Sequence, residues 1–389
     1  MRIGIVTCWK SMDNYGQLLQ CYALQTLLRS WGHDAFLIRY APKGKNNKSI
    51  RKRIENSLLD VYCKLYIFII GTGRKHSVRK ETLLRHINNK ENRFRHFEEF
   101  RKENIIMSPL VYYSFEELQA NPPEADLYIT GSDQVWHNPY NEESVKGYFL
   151  QFGSSKTIRI SYAASIGRSL NTNELQLFRK FLQSFDAISV REETACQLCI
   201  EQGFKAQVCI DPTMLLSADK YICIAKQPKG NKKYAFIYVL NVKSAEEFFW
   251  PAIKEYISQR HLELKSVTGS GYYQGRELIK GHKNLLASIP EWIGYMQQAE
   301  CVFTTSFHGT VFAILMHRPF LTIGLQGKYC GSNTRVEQLL SMLGIPERMF
   351  NPHISIQQQM DETINWRDVD QRIDKMKLAS FMFLKDNLK

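Results

Sequence analysis

The sequence predicts an α/β protein of two parallel-sheet domains that face each other across a cleft and end in a C-terminal helix. Three observations predict it. Short apolar runs alternate with longer stretches of helical spacing along nearly the whole chain. A chain of 389 residues is long for one hydrophobic core and comfortable for two. The alternation also pauses at a looser, Lys-rich patch, residues 226–233, and then begins again.

Residues 3–8 read as a first buried strand, and a polar loop follows at 9–14. In "NYGQLLQCYALQTLLRSWGHDAFLIRY", Leu18, Leu19, Tyr22, Ala23, Leu27 and Leu28 recur at helical spacing. Gly32 stops that helix, and 35–40 is the next strand. The loop lies at the C-terminal end of the first strand, where open α/β sheets place ligands. Residues 43–104 form a basic excursion of helical character, and the strand pattern returns at 126–130. "IRISYAASIGR" is another strand; "LQLFRKFLQSFDAISVREETACQLCIEQGF" gives helix, strand and helix; and 208–210 is a strand that stops at Asp211-Pro212-Thr213, a hinge turn. The second series runs through "KYAFIYVL", a helix-like stretch with Pro251 as its kink or break, "ELKSVTG", a helix at 288–299, a strand at 301–304, a helix, and a strand at 320–323. A terminal helix follows. The expected division is 1–213, containing the insertion 43–104, then 214–365, then the helix 366–389.

With 44% hydrophobic and 23% charged residues, the composition is that of a globular chain rather than a disordered one. No secretory h-region follows "MRIGIVTCW", and no apolar run reaches the roughly 18 residues of a membrane span. A cytoplasmic location is expected. The nine cysteines lie mostly in apolar runs, as reduced thiols do. Cys196 and Cys199 form a lone C-x-x-C on a helical pattern, so no metal site is expected. The net charge of +13 is concentrated: residues 43–102 hold 17 Lys/Arg against 6 Asp/Glu. Such a segment suits an anionic surface or is simply a solvated face. Nucleic acid is not expected, since no RNP, helix-turn-helix or zinc-finger pattern accompanies the charge.

The joints between strands and helices carry the chemistry. In "AECVFTTSFHGTVFAILMHRPFLTIG", a histidine and several hydroxyls interrupt an otherwise apolar unit. A helix N-terminus there favours anions; Ser306 is placed to cap, Phe307 and Gly309 line the turn, and Gly309 lets a ligand approach the backbone. His308 then stands as a proton donor or a cation beside the anion. Gly131-Ser132-Asp133-Gln134 repeats the arrangement in the first half, where Asp133 either takes a proton from a sugar hydroxyl or caps an Asx turn, and Trp136 offers a face for stacking. Asn14 and Tyr15 form a binding loop, or Asn14 merely caps the helix. Arg168 and Arg191 are cations at strand ends; Arg191 either faces an anion or pairs with Glu192 or Glu193. Lys328 and Arg335 flank the loop after the last strand. Walker, G-x-G-x-x-G, G-x-S-x-G and H-E-x-x-H patterns do not occur.

Taken in order, "NYGQLLQCYALQTLL", "DLYITGSDQVWH", "SYAASIG", "ISVREETA", "CIDPTMLL" and "TTSFHGTVFAILMHRPF" resemble the polysaccharide pyruvyl transferase family. The resemblance covers most of the chain, from about residue 3 to 320. It implies a GT-B-like fold of two Rossmann-like domains, residues 1–213 on the acceptor side and 214–365 on the donor side. It implies transfer of a pyruvyl group from phosphoenolpyruvate to a sugar of a surface or capsular polysaccharide precursor, as a ketal, with release of phosphate. Phosphoenolpyruvate would be a co-substrate, with no metal or other cofactor. By the resemblance, His308 and Arg191 lie at the donor. With them, Ser306, Phe307, Gly309, Arg168 and Lys328 are expected to hold the donor, and Asn14, Tyr15, Ser132, Gln134 and Trp136 the acceptor, with Asp133 as base. The segment departs from the family at Gln17, where many members have a small residue, and at 43–103, which is not diagnostic. The acceptor is expected to be lipid-linked, which gives the basic segment a use: peripheral contact with an anionic bilayer at the inner membrane face. Two competing readings share the fold: a GT-B glycosyltransferase with a nucleotide-sugar donor, and a non-catalytic saccharide-binding protein.

Overall fold

The short apolar runs form the strands of two parallel sheets. The computed structural model describes residues 1–42, 91–137, 142–269 and 278–388, with the side chains of Glu142 and Lys328 excepted. Most of the expected basic insertion, residues 43–90, lies outside the described residues.

The first sheet contains β1 (Arg2–Val6), β2 (Asp34–Tyr40), β3 (Met107–Tyr112), β4 (Leu127–Thr130), β5 (Ile158–Ala164), β6 (Ala187–Val190) and β7 (Gln207–Val208), in the order β3-β2-β1-β4-β5-β6-β7. The second contains β8 (Tyr234–Val239), β9 (Glu263–Thr268), β10 (Cys301–Thr304) and β11 (Phe320–Thr322), in the order β11-β10-β8-β9. All of these pairings are parallel. Every residue of β4, β8 and β10 is buried, as continuous apolar runs covered on both faces should be. Strand order reverses between β1 and β4 and again between β8 and β10. Ligand crevices open beyond the C-terminal strand ends at such switch points.

Two local features differ from the sequence expectation. β3 was not legible as a strand because it contains Pro109, which lacks the ladder N–H; the strand tolerates it as the edge of the sheet. Pro251 does not kink a helix. It occupies the first turn of the helix Trp250–Gln259, where a missing N–H costs nothing, after the separate 3-10 turn Glu246–Phe248.

The helix Tyr15–Ser30 follows β1 and binds the two halves together. Asn14 caps it by accepting from the Gln17 amide at 3.3 Å. Tyr15 stacks on Trp292 at 5.3 Å between centroids, and its hydroxyl donates to the Ala287 carbonyl at 2.6 Å. One apolar cluster accordingly runs from Ile3 and Leu18 through Met214 to Phe236, Val302 and Phe312. Asp211, Pro212 and Thr213, expected as a hinge turn, are buried within that region. The C-terminal helix Trp366–Asn387 returns to the first half, where Phe381 packs on Trp31 and the Ser380 hydroxyl accepts from the Ile210 amide at 3.1 Å. The described end of the basic tract also turns inward. Arg95 donates to the Tyr15 hydroxyl at 2.8 Å, and Arg101 donates to the Ser11 carbonyl at 2.6 Å; both are buried.

Candidate functional site

The turn after β10 explains its own hydroxyls. Thr304 donates to the Tyr238 carbonyl at 2.6 Å, and Thr305 donates to the Leu240 carbonyl at 2.9 Å while accepting from the Leu240 amide. Thr310 donates to the Ser306 carbonyl, and Ser306 caps the helix Phe307–Leu315 by accepting from the Gly309 amide at 3.3 Å. These bonds satisfy groups that the apolar surroundings would otherwise leave unpaired. Gly309 serves packing rather than ligand approach: a Cβ there would lie 2.2 Å from Thr304 Oγ1. That corrects its sequence-based role.

His308 is the polar group of this turn left over. It is 6% exposed and Nε2 has no hydrogen-bond partner among the described residues. On one side lies Gly16, at the start of the helix after β1; a Cβ there would stand 2.0 Å from His308 Nδ1. On the other side lies Asp211, with Oδ2 at 3.5 Å from Nε2, an ion-pair distance without hydrogen-bond geometry.

Asp211 organises the first half of the site. Its Oδ1 accepts from the Thr213 amide at 3.0 Å and the Thr213 hydroxyl at 2.7 Å. Its Oδ2 accepts from Arg191 Nη1 at 2.8 Å, and the Ser132 hydroxyl stands at 3.1 Å. Burial works against the charge of this carboxyl, but His308 and Arg191 outweigh it and hold Asp211 far below its ordinary value. Burial likewise disfavours the Arg191 cation; Glu192 and Asp211 overcome it and raise the guanidinium.

Arg191 reaches across to the second half. Its guanidinium carbon stands 4.5 Å from the Phe307 ring centroid, and that of Arg335 stands 6.0 Å from the same centroid. Arg191 Nη2, Arg335 Nε and Glu192 Oε2 are buried and without partners among the described residues. Arg191, Glu192, Asp211, Phe307 and Arg335 line one small cavity of about 20 Å³. The two unpaired guanidinium N–H groups around this void suit an acceptor-bearing ligand, and Glu192 Oε2 beside them suits a hydroxyl donor.

The remaining expected site residues divide. Asp133, at φ +67°, is 7% exposed, and its carboxylate makes no hydrogen bond among the described residues. It lies close enough to raise Arg191. Ser132 is buried and bonds the Ala163 carbonyl and Asp211, so it supports the cluster instead of facing an acceptor. Gln134 lies against Gly167, where a Cβ would meet its Nε2 at 2.1 Å. Trp136 cannot stack on a sugar: it is fully buried and stacked on Phe149, with centroids 5.1 Å apart. Tyr15 is equally buried and joins the two halves rather than lining a binding loop. Arg168 is not free for the donor, since Glu174 and the His137 carbonyl engage it. Lys328 is the second residue of the 3-10 turn Gly327–Ser332, and its side chain lies outside the described residues.

The sequence reading took Asp211 as part of a hinge turn rather than as a base, and set Arg335 beside the loop after the last strand, close to the cleft, without a role in binding. The available signal for Asp211 was a carboxylate inside the apolar "CIDPTMLL", directly after a strand. A wider groove of about 760 Å³ opens at the other ends of β8 and β10, near Tyr234 and Glu300. Its Lys232 and Lys233 are solvent-exposed and paired with Glu263 and Glu300, so it lacks the buried unpaired donors of the small cavity. Among the described residues, no cluster of three His, Cys, Asp or Glu side chains is placed to hold a metal ion, and no helix is long and apolar enough to cross a membrane.

Comparison with solved structures finds a UDP-N-acetylglucosamine 2-epimerase at TM-score 0.51 and 10% identity, covering 100% of this chain and 95% of that one. A putative UDP-N-acetylglucosamine 2-epimerase from Listeria monocytogenes aligns at TM-score 0.47 and 11% identity, over 97% and 91% of the two chains. The glycosyltransferase SnogD from Streptomyces nogalater aligns at TM-score 0.42 and 12% identity, over 100% and 99%. At such identities the likeness is one of fold: two parallel α/β halves in a GT-B-like arrangement with a C-terminal helix. No curated protein sequence matches the chain. The family model for polysaccharide pyruvyl transferase matches residues 14–327, a span that contains Asn14, Asp133, Arg191, Asp211 and His308, and the chain belongs to that family.

Proposed function

We propose that the protein transfers a pyruvyl group from phosphoenolpyruvate to two hydroxyls of a sugar in a surface-polysaccharide precursor, forming a ketal and releasing phosphate. The observation that carries this reading is the convergence of His308 from one half and the Asp211–Arg191 pair from the other, with buried N–H groups left unpaired. A small molecule bearing a phosphate and a carboxylate supplies acceptors for such donors.

The residues divide the work as follows. Arg191 and the N-terminus of the helix Phe307–Leu315 hold the donor's anionic groups. His308 delivers its Nε2 proton to the terminal enol carbon, and the adjacent carbon becomes electron-poor. Asp211 stabilises the imidazolium before that transfer, as a fixed negative charge 3.5 Å away. A sugar hydroxyl attacks the electron-poor carbon and gives its proton to Asp133. Phosphate then leaves with the electron pair of its C–O bond, and a second hydroxyl closes the ketal, its proton passing to the His308 imidazole that the first transfer left neutral. The cavity of about 20 Å³ is far smaller than phosphoenolpyruvate, so the reading requires Phe307 and the facing groups to part on binding. The acceptor is proposed to be lipid-linked, met at an anionic membrane face by the basic segment 43–104.

Mass spectrometry of saccharide acceptors incubated with phosphoenolpyruvate tests the proposal. A mass gain of one pyruvate less one water, with stoichiometric phosphate, is expected. Sugar transfer from a UDP- or GDP-sugar, with no use of phosphoenolpyruvate, would overturn it.

A further inference from the structure

We propose that Arg335 is a second anion ligand of this site, gripping the donor jointly with Arg191 across the ring of Phe307. Only the identity of the anion rests on the pyruvyl-transfer reading; the placement of Arg335 does not.

Four observations converge on it. Arg335 is the second residue of the helix Thr334–Met342. A cation in the first turn opposes the helix dipole, so the position is unfavourable unless something else uses the charge. Among the described residues Arg335 makes no ion pair or hydrogen bond, and its Nε is buried without a partner. Buried guanidinium N–H groups are expensive to leave unpaired. None of the nearby carboxylates bonds Arg335: Asp211 is engaged by Arg191 and Thr213 and Glu192 Oε1 by Arg191 and the Ser165 hydroxyl, while Glu192 Oε2 and Asp133 act on it only through space. Finally, Arg191 Nη2 is unpaired in the same way, at 7% residue exposure, and the two guanidiniums address one ring and line one cavity. Burial and the neighbouring Arg191 push the Arg335 guanidinium down to about 10.

Planar guanidiniums suit this task. Each presents parallel N–H groups to a phosphate or carboxylate, which an ammonium group cannot do. Arg335 belongs to the second half and Arg191 to the first, so an anion held by both also draws the halves together.

Calorimetric titration of the full chain with phosphoenolpyruvate, inorganic phosphate and UDP tests this, using wild type, Arg335→Met and Arg335→Lys. A charge-assisted hydrogen bond lost from a bound anion weakens binding by about tenfold or more. The expected order is wild type tightest, Arg335→Lys intermediate and Arg335→Met at least about tenfold weaker than wild type, with the unliganded melting temperature of Arg335→Met no lower than that of wild type. Equal binding of the anion by wild type and Arg335→Met overturns the assignment, as does a wild type that binds none of the three. If Arg335→Met fails to fold, Arg335→Lys decides by the same comparison: weaker binding supports the assignment, and equal binding overturns it. If UDP or phosphate binds in an Arg335-dependent way and phosphoenolpyruvate does not, the assignment stands and the donor reading falls. If phosphoenolpyruvate binds both proteins equally, the reverse holds.

Discussion

Replacing Asp211 with Asn should destabilise the protein more than its size suggests. The substitution keeps the shape of the side chain and removes its charge. Arg191 then remains buried with its Nη1 facing an amide, and its other acidic neighbour, Glu192, stands at 3.4 Å. Breaking one partner out of a buried pair costs about 3–5 kcal/mol, because the surviving charge is uncompensated. The retained amide oxygen and the Glu192 contact place Asp211→Asn at the low end, about 3 kcal/mol. Urea unfolding at pH 7 measures the difference. Its pH dependence has a definite sign. The folded-state carboxyl lies below its ordinary 3.8, so its contribution is fully present above that value and is lost as pH falls toward the folded-state value. The gap between wild type and Asp211→Asn should therefore be constant from pH 7 to about 5 and narrow below about 4. A gap under about 1 kcal/mol at pH 7, or one unchanged at pH 3, would show that Asp211 does not organise the cluster.

Other consequences can be checked in parallel. Gly16→Ala ought to raise helix propensity, yet its Cβ would lie 2.0 Å from His308 Nδ1; the variant should lose about 1–3 kcal/mol in urea unfolding and most phosphate release from phosphoenolpyruvate. Stabilisation by Gly16→Ala with full activity would refute that packing. Trp136→Ala should cost about 3–5 kcal/mol as a core truncation, whereas Trp136→Phe should leave the acceptor KM unchanged. A raised KM in Trp136→Phe, without a loss of stability, would restore the stacking role that burial denies it.

The fold was legible where periodicity decides. β1, the helix after it, β8, β10 and the strand-turn-helix around His308 follow from apolar runs and helical spacing. β3 was not, because Pro109 erases a strand signal that only an edge position permits. For the site, His308, Asp133 and Arg191 stood out because polar residues at strand ends within apolar units need a reason. Trp136 and Tyr15 misled because a sequence shows an aromatic ring without showing which face is covered. Arg168 misled in the same manner: its partner Glu174 belongs to a capping box six residues away that could be seen only once the helix Thr172–Leu182 was placed. Asp211 read as a turn, which it is; that the same carboxylate also meets Ser132, Arg191 and His308 is a product of tertiary folding.

The central claim is that His308 performs proton transfer on a donor held by other groups. It is tested most directly by measuring phosphoenolpyruvate affinity and phosphate release together for wild type and His308→Ala. The account predicts that His308→Ala binds phosphoenolpyruvate within several-fold of wild type and releases no phosphate above background. Near-normal phosphate release by the folded His308→Ala protein would contradict it.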